Sequence, residues 1–304
     1  MDGVLLIDKP QGPTSHDVVA RLRATSGAER MGHTGTLDPR ATGLLPLVLG
    51  KATRLAQLLG GGDKTYAATV RLGFATDTDD ADGERVGATA TTLPADDEID
   101  AALAKFVGTI EQVPPDHSAK RVGGHRAYDL ARSAKPLTLQ PVSVTVHTLE
   151  RTRRDGDLVD ILVTSASGFY VRALARDLGR DLGCGAHLVE LRRTRSGHFD
   201  IASAVPLDVA ERLGRDIAGR VLSPADALPD LIGVRVTPAG LKRAAHGNPL
   251  GPEHLEERYM PPPSGAVTPG SGSVKPVKIV DQDGRLIALA WSRGGALHPV
   301  VVLG

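Results

Sequence analysis

The chain contains 304 residues, of which 41% are hydrophobic and 24% are charged. A chain of this size can bury a large core, and we expect one large domain together with a smaller one. No apolar run reaches the roughly 18 to 20 residues that span a bilayer, and the first residues lack the pattern of a secretory signal. We therefore expect a cytoplasmic protein. The single cysteine, Cys184, excludes an internal disulfide and argues against a structural zinc site.

Charge is balanced in total but unevenly distributed along the chain. Lysine and arginine together number 36, as do aspartate and glutamate, so the formal net charge is zero. Acidic residues concentrate in residues 77–100, and basic residues cluster in residues 120–135, 151–154, 172–180 and 192–195. A neutral sum can hide a basic face that binds nucleic acid, although ordinary solvated surfaces would give the same counts.

The first third of the chain alternates between apolar segments and loop segments. GVLLID is predicted to be a strand, and Ser15 the N-cap of the helix HDVVARLRA. The glycine-rich segment GHTGTLDPRATG has loop composition, and LLPLVLG after it is predicted to be a buried strand. The pattern then predicts a helix in KATRLAQLLG, a strand in TYAATVRLGF, an acidic connection in TDTDDADGE and a helix over residues 99–107.

The middle of the chain predicts a loop, two strands, a helix and a further strand. VPPDHSAKRVGGHRAY should be an exposed loop, with a short helix around Leu130 after it. PVSVTVHTLE and LVDILVTSAS are predicted to be adjacent strands, FYVRALARDLGRDLG an amphipathic helix, and HLVELRRTRSGHFDI a strand. A helix is predicted near residues 208–213. Because no regular β-α-β repeat is present, we predict an α+β fold with a mixed, largely antiparallel sheet flanked by helices.

The last part of the chain is predicted to form a unit of its own. Residues 252–276 are dense in proline, glycine and serine, which favours a surface loop. Strand patterns flank this loop, and Asp283-Gly284 is a hairpin-turn pair. We therefore expect a first domain over residues 1–230 and a compact C-terminal β-barrel over residues 231–304.

Asp38 is the main candidate for chemistry. Histidine pairs at metal-ligand spacing, a GxxxxGK[ST] phosphate loop and a GxSxG elbow are all absent from the sequence, so the obvious metal and cofactor signatures are missing. Asp38 lies in GTLDP, where the following proline favours extended backbone and so fixes the direction of the carboxylate. On local composition alone, a turn-forming Asp-Pro pair explains this motif more simply than catalysis does.

Four motifs in order resemble one family. They are GVLLIDKPQGPTSHDVV; GHTGTLDPRATGLLPLVLGKAT; DKTYAATVRLG with TDTDDADG; and SGFYVRALARDLG with GAHLVELRRTRSG. Together they resemble the bacterial tRNA pseudouridine-55 synthases of the TruB type over nearly all of residues 3–200. The resemblance implies isomerisation of a T-loop uridine to pseudouridine, without a metal or cofactor, on a mixed sheet with RNA-gripping insertions.

The resemblance also implies roles for three catalytic residues. Asp38 falls on the family's catalytic aspartate, which acts as a nucleophile at C1′ or C6 or removes a ribose proton to give a glycal. Arg172 in FYVRAL matches the arginine that holds this carboxylate ionised and aimed. Tyr66 in KTYAAT matches the tyrosine that stacks on the flipped uracil, although a packed strand residue is the alternative.

Further positions match the family's RNA contacts. His33 in GHTG matches a histidine used when the uridine is extruded, or else belongs to the loop structure. Lys9 and Pro10 match a motif that shapes the pocket floor. Leu191 matches an apolar wall of the pocket, and Tyr170 either packs beside it or anchors its helix.

An insertion near residues 114–135 matches the segment that closes over the T-loop. Its expected phosphate contacts are Lys120, Arg121 and Arg126. The sequence departs from the family here, with His117 in place of an aromatic residue and paired basic residues at 120–121. The tail from residue 231 resembles a PUA domain that holds the acceptor end of tRNA. A monomer that binds tRNA and needs no protein partner is implied.

Two other functions are compatible with the same residues. A non-catalytic protein that binds or folds tRNA could use the same fold, although the intact Asp38, Tyr66 and Arg172 argue against it. A nucleoside hydrolase could use Asp38 as its nucleophile, but glycosidases generally need a second carboxylate nearby, and the sequence does not identify one.

Overall fold

One large mixed sheet organises the chain. The computed structural model describes residues 1–115, 121–122, 125–126, 139–256 and 275–304. Their strands before residue 207 are β1 (Gly3–Lys9), β2 (Met31–His33), β3 (Thr42–Leu49), β4 (Lys64–Leu72), β5 (Ala75–Thr76), β6 (Arg85–Val86), β7 (Gly108–Gln112), β8 (Arg121–Val122), β9 (His125–Arg126), β10 (Val142–Asp155), β11 (Leu158–Ser165), β12 (Ala186–Ser196), β13 (Phe199–Asp200) and β14 (Val205–Pro206).

The sheet has the order β14-β1-β3-β12-β4-β11-β10-β7, with β2 added beside β3 and β13 beside β12. The β1–β14 and β3–β12 pairs are parallel, and the remaining pairs of this sheet are antiparallel. β5 with β6, and β8 with β9, form two separate short hairpins. The predicted mixed, largely antiparallel sheet is therefore confirmed.

Six α-helices occur within the described residues. They are α1 (Ser15–Ser26), α2 (Ala56–Gly60), α3 (Asp96–Ala104), α4 (Val171–Asp181), α5 (Leu207–Leu213) and α6 (Pro238–Ala245). The helix predicted in KATRLAQLLG is only partly correct, because residues Gly50–Leu55 form a 3-10 helix before α2. The short helix predicted around Leu130 lies outside the described residues. Throughout the described ranges, the helices are too short or too polar to cross a membrane.

The prediction that Ser15 caps α1 is wrong by one residue. Thr14 is the N-cap: its hydroxyl accepts from the Asp17 amide, and the Asp17 carboxylate accepts from the Thr14 amide in return. This reciprocal pair is a capping box. Ser15 is instead buried, with its hydroxyl directed at a loop that is described below.

A second, smaller sheet follows the large one. Its strands are β15 (Gly233–Arg235), β16 (Val277–Val280), β17 (Leu286–Arg293) and β18 (Ala296–Val302), in the order β15-β16-β17-β18. β16 and β17 are joined at the predicted Asp283-Gly284 turn, where Gly284 has φ +79°. The predicted closed barrel does not appear in the described residues, because β15 and β18 lie at opposite edges of an open sheet. Residues 257–274 of the predicted 252–276 loop lie outside the described residues.

The two sheets share an apolar cluster. Val4 and Leu6 of β1 belong to the same buried group as Leu286 and Leu289 of β17. A larger core, built from α1, α4 and the opposite face of the large sheet, lies elsewhere. The small sheet therefore shares buried apolar side chains with the part of the chain that carries β1, and is not joined to it by a linker alone.

Gly43 lies where β3 and β12 approach each other. It pairs with Arg193 in the parallel register and has φ +99°, a conformation that favours glycine. A Cβ atom on Gly43 would lie 2.3 Å from the Arg193 carbonyl oxygen. The close contact between these strands thus requires glycine at this position.

We predict that Gly43→Ala destabilises the protein by about 3 kcal/mol, from overpacking and left-handed strain together. The measurement is the free energy of unfolding in denaturant. Gly219→Ala is the matched control, because a Cβ there meets nothing within 4 Å and its φ is not left-handed. Equal stability of the two variants would contradict this account of the strand contact.

The buried Lys64 makes the stability of the protein depend on pH. Its buried amino group donates to the carbonyls of Gly60 and Gly62 at 2.9 and 3.0 Å, and burial lowers its pKa to about 8. In the unfolded chain the pKa of a lysine is about 10.4. Below about pH 8 the folded protein must therefore bury a charged Lys64, which lowers its stability. This loss of stability shrinks as the pH rises from about 8 to about 10.4, because Lys64 becomes neutral in the folded protein first.

We therefore expect the free energy of unfolding of the wild type to rise, relative to Lys64→Met, by about 1 to 3 kcal/mol between pH 7.5 and 10.5. Denaturant unfolding of both proteins across this range measures the difference. Other alkaline titrations are common to the two proteins and cancel. Parallel stability curves would show that the folded protein does not lower the Lys64 pKa.

Candidate active site

The loop between β2 and β3 carries Asp38, and the buried side chain of Arg193 in β12 holds this loop through hydrogen bonds to its backbone. The Arg193 residue is 1% exposed. Its guanidinium donates to the carbonyl oxygens of Leu44 at 2.8 Å, Gly35 at 3.1 Å and Thr36 at 3.4 Å. Burial lowers the pKa of Arg193, but a guanidinium remains charged near neutral pH. The donated hydrogen bonds offset the cost of burying that charge.

Two further side chains hold the same loop. The Ser15 hydroxyl donates to the Leu37 carbonyl at 3.0 Å and accepts from the Leu37 amide at 2.8 Å. The buried Lys9 ammonium donates to the carbonyls of Pro10 at 2.9 Å and Pro39 at 3.3 Å. Burial lowers the pKa of Lys9 to about 8, and the nearby Asp38 carboxylate opposes this shift. The backbone on both sides of Asp38 is thus anchored to the interior.

Arg172 of α4 forms an ion pair with Asp38. One terminal nitrogen of Arg172 lies 2.9 Å from an oxygen of Asp38, and the other lies 3.6 Å from an oxygen of Asp80. The side chain of Arg172 is 8% exposed, whereas that of Asp38 is 43% exposed. The arrangement therefore presents an open carboxylate held in place by a buried cation.

Gln112 positions the beginning of α4. Its side-chain amide donates to the Tyr170 carbonyl at 3.1 Å and accepts from the Tyr170 amide at 2.9 Å. Tyr170 is the N-cap residue of α4 and lies two positions before Arg172. The end of β7 and the start of α4 are therefore fixed to each other beside the ion pair.

A narrow slot opens at Asp38. It has a volume of about 110 Å³, and its lining residues are Thr36, Leu37, Asp38, Tyr66, Phe169, Tyr170, Val171, Arg172 and Leu191. Four of the predicted site residues besides Asp38 thus contribute to one cavity. Leu191 lies in β12 between two register shifts, one between Leu188 and Glu190 and one between Arg193 and Arg195. Such bulges commonly redirect side chains next to functional sites.

The slot continues into a wider groove along the sheet. A small cavity shares Asp38, Arg172 and Leu191 with the slot and adds Arg40 and Asp80 to the lining. Beyond it lies a groove of about 540 Å³, which Arg40 and Leu191 also line. An extended ligand can therefore lie in the groove while one of its groups enters the slot.

Tyr66 forms a wall of the slot and is itself largely buried. It lies in β4, where it pairs with Arg193 of β12 and Val163 of β11. Burial raises the pKa of the Tyr66 hydroxyl, and the neighbouring Arg193 opposes that shift. The phenol therefore stays neutral near pH 7 and presents a flat aromatic surface beside Asp38.

The remaining predicted residues lie outside the slot. His33 ends β2, and its ring lies edge-on to that of His16 at 5.2 Å between centroids. Pro10 is exposed and lines a separate groove of about 380 Å³ together with Lys9. Lys120 is outside the described residues. Arg121 and Arg126 pair with each other in the β8–β9 hairpin, where only the backbone is described.

Several site residues were not identified from the sequence. Asp80 lies in the quoted motif TDTDDADG, but nothing in the local pattern distinguishes it from its acidic neighbours. Arg193 has the sequence context of a basic strand residue, and only its burial reveals its role. Ser15 and Gln112 act on backbone groups that are remote in sequence, so their pattern carries no signal. Among the described residues, no three His, Cys, Asp or Glu side chains are grouped as metal ligands.

The arrangement can perform nucleophilic or basic chemistry on a small planar group. An ionised carboxylate at a slot mouth can attack an electrophilic carbon or remove a proton. The aromatic wall can hold a base by stacking, and the adjoining groove can receive the chain from which that base is turned out.

Comparison with known proteins identifies the family. The TruB family pseudouridylate synthase N-terminal domain matches residues 23–171, and the tRNA pseudouridylate synthase B C-terminal domain matches residues 172–228. The tRNA pseudouridine synthase B of Thermobifida fusca is 44% identical over 99% of this chain and 98% of its own length. The enzyme of the same name from Cupriavidus metallidurans is 42% identical over 98% and 92%, respectively.

Solved structures agree with this assignment. Cbf5 in a Cbf5-Nop10-Gar1 complex superposes with a TM-score of 0.72 at 26% identity, covering 99% of this chain and 85% of that one. An H/ACA RNP bound to a substrate RNA that contains 2′-deoxyuridine gives the same score, identity and coverage. The family resemblance of the four sequence motifs is thereby confirmed, and the chain belongs to the TruB family of pseudouridylate synthases, isomerases that convert uridine to pseudouridine.

Proposed function

We propose that this chain isomerises the uridine at position 55 in the T-loop of tRNA, with Asp38 as the catalytic carboxylate. The observation that carries the proposal is the half-exposed Asp38 carboxylate, held at 2.9 Å by the buried Arg172 at the mouth of a slot of about 110 Å³. A slot of this order accommodates one pyrimidine and excludes a base pair. The target base must therefore be turned out of the RNA to reach Asp38.

The chemistry requires only a carboxylate. The bond between N1 of the uracil and C1′ of the ribose breaks, the base turns, and C5 bonds to C1′ while the C5 proton is lost to N1 or solvent. Asp38 initiates this either as a nucleophile at C1′ or C6, or by removing a ribose proton to give a glycal. Both routes conserve atoms and oxidation state, so neither requires a redox partner.

Arg172 and Tyr66 have distinct proposed roles. Arg172 pairs with the Asp38 carboxylate and aims one of its oxygens into the slot. Tyr66 stacks on the flipped uracil, with Leu191 as the opposing apolar wall and Tyr170 beside the entrance. These assignments rest on the lining of the slot and on the matching family motifs.

The RNA contacts are proposed more widely. His33 acts at the RNA loop during extrusion of the base, while Lys9 and Pro10 support the floor on which Asp38 rests. The insertion near residues 114–135, with Lys120, Arg121 and Arg126, contacts backbone phosphates of the T-arm.

The proposed domain division follows the two sheets. Residues 1–230 form the catalytic domain, and residues 231–304 form a PUA-like domain that holds the acceptor end of tRNA. Support comes from the separate small sheet and from the motifs GNPL and VKIVDQDGRLIALA. We further propose that the protein acts as a monomer in the cytoplasm and needs no protein partner.

A specific observation keeps nucleoside hydrolysis as a second candidate. Hydrolysis generally uses two carboxylates, and Asp80 lies beside the second nitrogen of Arg172 at 3.6 Å. Isomerisation is favoured because the chain belongs to an isomerase family over most of its length. The two reactions differ in product, since hydrolysis releases free uracil and isomerisation leaves the RNA mass unchanged.

We predict that Asp38→Asn lowers turnover by at least about 10³-fold, the scale on which loss of a nucleophile acts. The amide keeps the shape of the side chain but removes its charge, so binding of the RNA should be nearly unchanged. An unmodified tRNA transcript, mapped for pseudouridine at every uridine and assayed for free uracil, provides the measurement. Asp155→Asn, on an exposed aspartate at the end of β10, is the control.

Substantial isomerisation by Asp38→Asn would exclude the catalytic assignment. Release of uracil by the wild type would instead favour the hydrolase. Pseudouridine at a position other than 55 would leave the chemistry intact and overturn the proposed substrate position.

We predict that Arg172→Lys lowers the rate of the bound complex by about 10² to 10³-fold, while the RNA dissociation constant changes less than about five-fold. Arg172 reaches Asp38 and Asp80 with two different nitrogens of one planar guanidinium. A lysine ammonium has a single nitrogen and cannot reproduce this arrangement. Single-turnover rates at saturating RNA, together with filter-binding titrations, separate the two effects. Arg180→Lys, at an exposed arginine of the same helix, is the control. A fully active Arg172→Lys protein would contradict the proposal that Arg172 must contact both Asp38 and Asp80.

A further inference from the structure

Two arginines of α4 contact two successive aspartates. Arg172 and Arg176 are four residues apart and thus lie on the same side of the helix. Arg172 lies 3.6 Å from Asp80, and Arg176 lies 2.9 Å from Asp79. The Arg172–Asp80 pair is therefore followed, one helical turn later, by the Arg176–Asp79 pair, which does not line the slot.

Arg176 joins three separate segments of the chain. Besides Asp79, its guanidinium donates to the Val113 carbonyl at 2.8 Å and to the Asp177 carboxylate at 3.0 Å. Its side chain is only 21% exposed and that of Asp79 only 12%. Because three acceptors surround one planar cation, the helix, the acidic loop and the segment after β7 are held at fixed separations.

Asp79 occupies a conformation that needs such support. Its φ is +62°, the only positive value for a non-glycine residue in the described part of the chain. Burial also raises the pKa of its carboxyl group to about 6, and Arg176 opposes that shift. Strain and a buried charge at one residue persist only where neighbouring contacts hold them. The backbone direction of Asp80, the next residue, depends on the same conformation.

The segment after β7 provides a second connection to the slot. Val113, which accepts from Arg176, follows Gln112, whose side chain binds both backbone groups of Tyr170. Arg172 lies two residues after Tyr170. Arg176 is thus linked to the Arg172–Asp38 pair by two routes, one through Asp79 and Asp80 and one through Val113 and Gln112.

We propose that Arg176 is a positioning residue, which fixes Asp80 and the start of α4 so that Arg172 holds Asp38 in its reactive orientation. Arg176 lines none of the cavities at Asp38 and acts through its neighbours. The inference rests on the proposed catalytic role of Asp38 and Arg172, and it adds a layer of support that lies outside the slot.

The test compares Arg176→Gln with Arg180→Gln, a matched change one turn further along α4 at an arginine that is 73% exposed. Single-turnover rates at saturating tRNA transcript and dissociation constants for the same RNA are measured well below the unfolding temperature. We expect Arg176→Gln to lower the single-turnover rate by about 10 to 100-fold, the scale on which small misplacement of reacting groups acts. The dissociation constant should change less than about three-fold, and Arg180→Gln should match the wild type. Arg176→Lys should recover part of the rate.

A double-mutant cycle separates positioning from general destabilisation. If Arg176 acts through Asp80, the rate loss of the Arg176→Gln/Asp80→Asn double mutant, relative to the wild type, should be much smaller than the product of the losses of the two single mutants. Independent, multiplicative effects overturn the route through Asp80. An unchanged rate in Arg176→Gln, or a loss confined to RNA affinity, overturns the proposal as a whole.

Two further variants keep the outcome decisive. If Arg176→Gln does not fold, Asp79→Asn removes the same contact from the other side and should give the same selective loss of rate. Asp38→Asn is assayed in parallel. An active Asp38→Asn protein overturns the proposed site, whereas an inactive one beside a fully active Arg176→Gln protein overturns only the role of Arg176.

Discussion

The buried guanidinium of Arg193 is the constraint on which the site depends. A charge in the interior must have its donors satisfied, and Arg193 satisfies them on backbone carbonyls of residues 35, 36 and 44. The loop that leads to Asp38 is thereby fixed to β12, and Gly43 allows the close strand contact that this requires. Ser15 and Lys9 fix the same loop from α1 and β1. The backbone at Asp38 is held in place while its carboxylate remains open to solvent.

Much of the fold could be predicted from the sequence, because apolar periodicity and turn residues are local properties. The longer strands, the hairpin turn at Asp283-Gly284 and the mixed sheet follow from them, whereas the short strands β2, β7, β8 and β9 were not predicted. The pairing of Asp38 with Arg172 could not be derived in this way, since it joins residues 134 positions apart (172 minus 38), and only the family resemblance suggested it. The N-cap prediction failed because Thr and Ser are both residue types that cap helices. Only the hydrogen bonds of the buried Ser15 with the Leu37 backbone show that Thr14 is the cap.

Charge clusters were the least informative feature of the sequence. Two arginines of the 151–154 cluster do not form a free basic face, because Arg151 and Arg154 pair with Asp96, and Arg151 also pairs with Asp100 of α3. The acidic segment thus neutralises part of the basic one across the fold. At α4, in contrast, acidic and basic side chains meet at the slot itself. The same residue types are structural in one place and part of the proposed chemistry in another, and only three-dimensional neighbours distinguish the two.

The apolar cluster between the sheets has a consequence for biosynthesis. Val4 and Leu6 emerge early during translation, whereas Leu286 and Leu289 of the same buried cluster are made much later. The cluster that includes this face of β1 therefore stays incomplete while most of the polypeptide is being synthesised. Apolar side chains of an incomplete cluster are sites for chaperone binding or premature self-association. The nascent protein can complete its interior only after the small sheet has been translated.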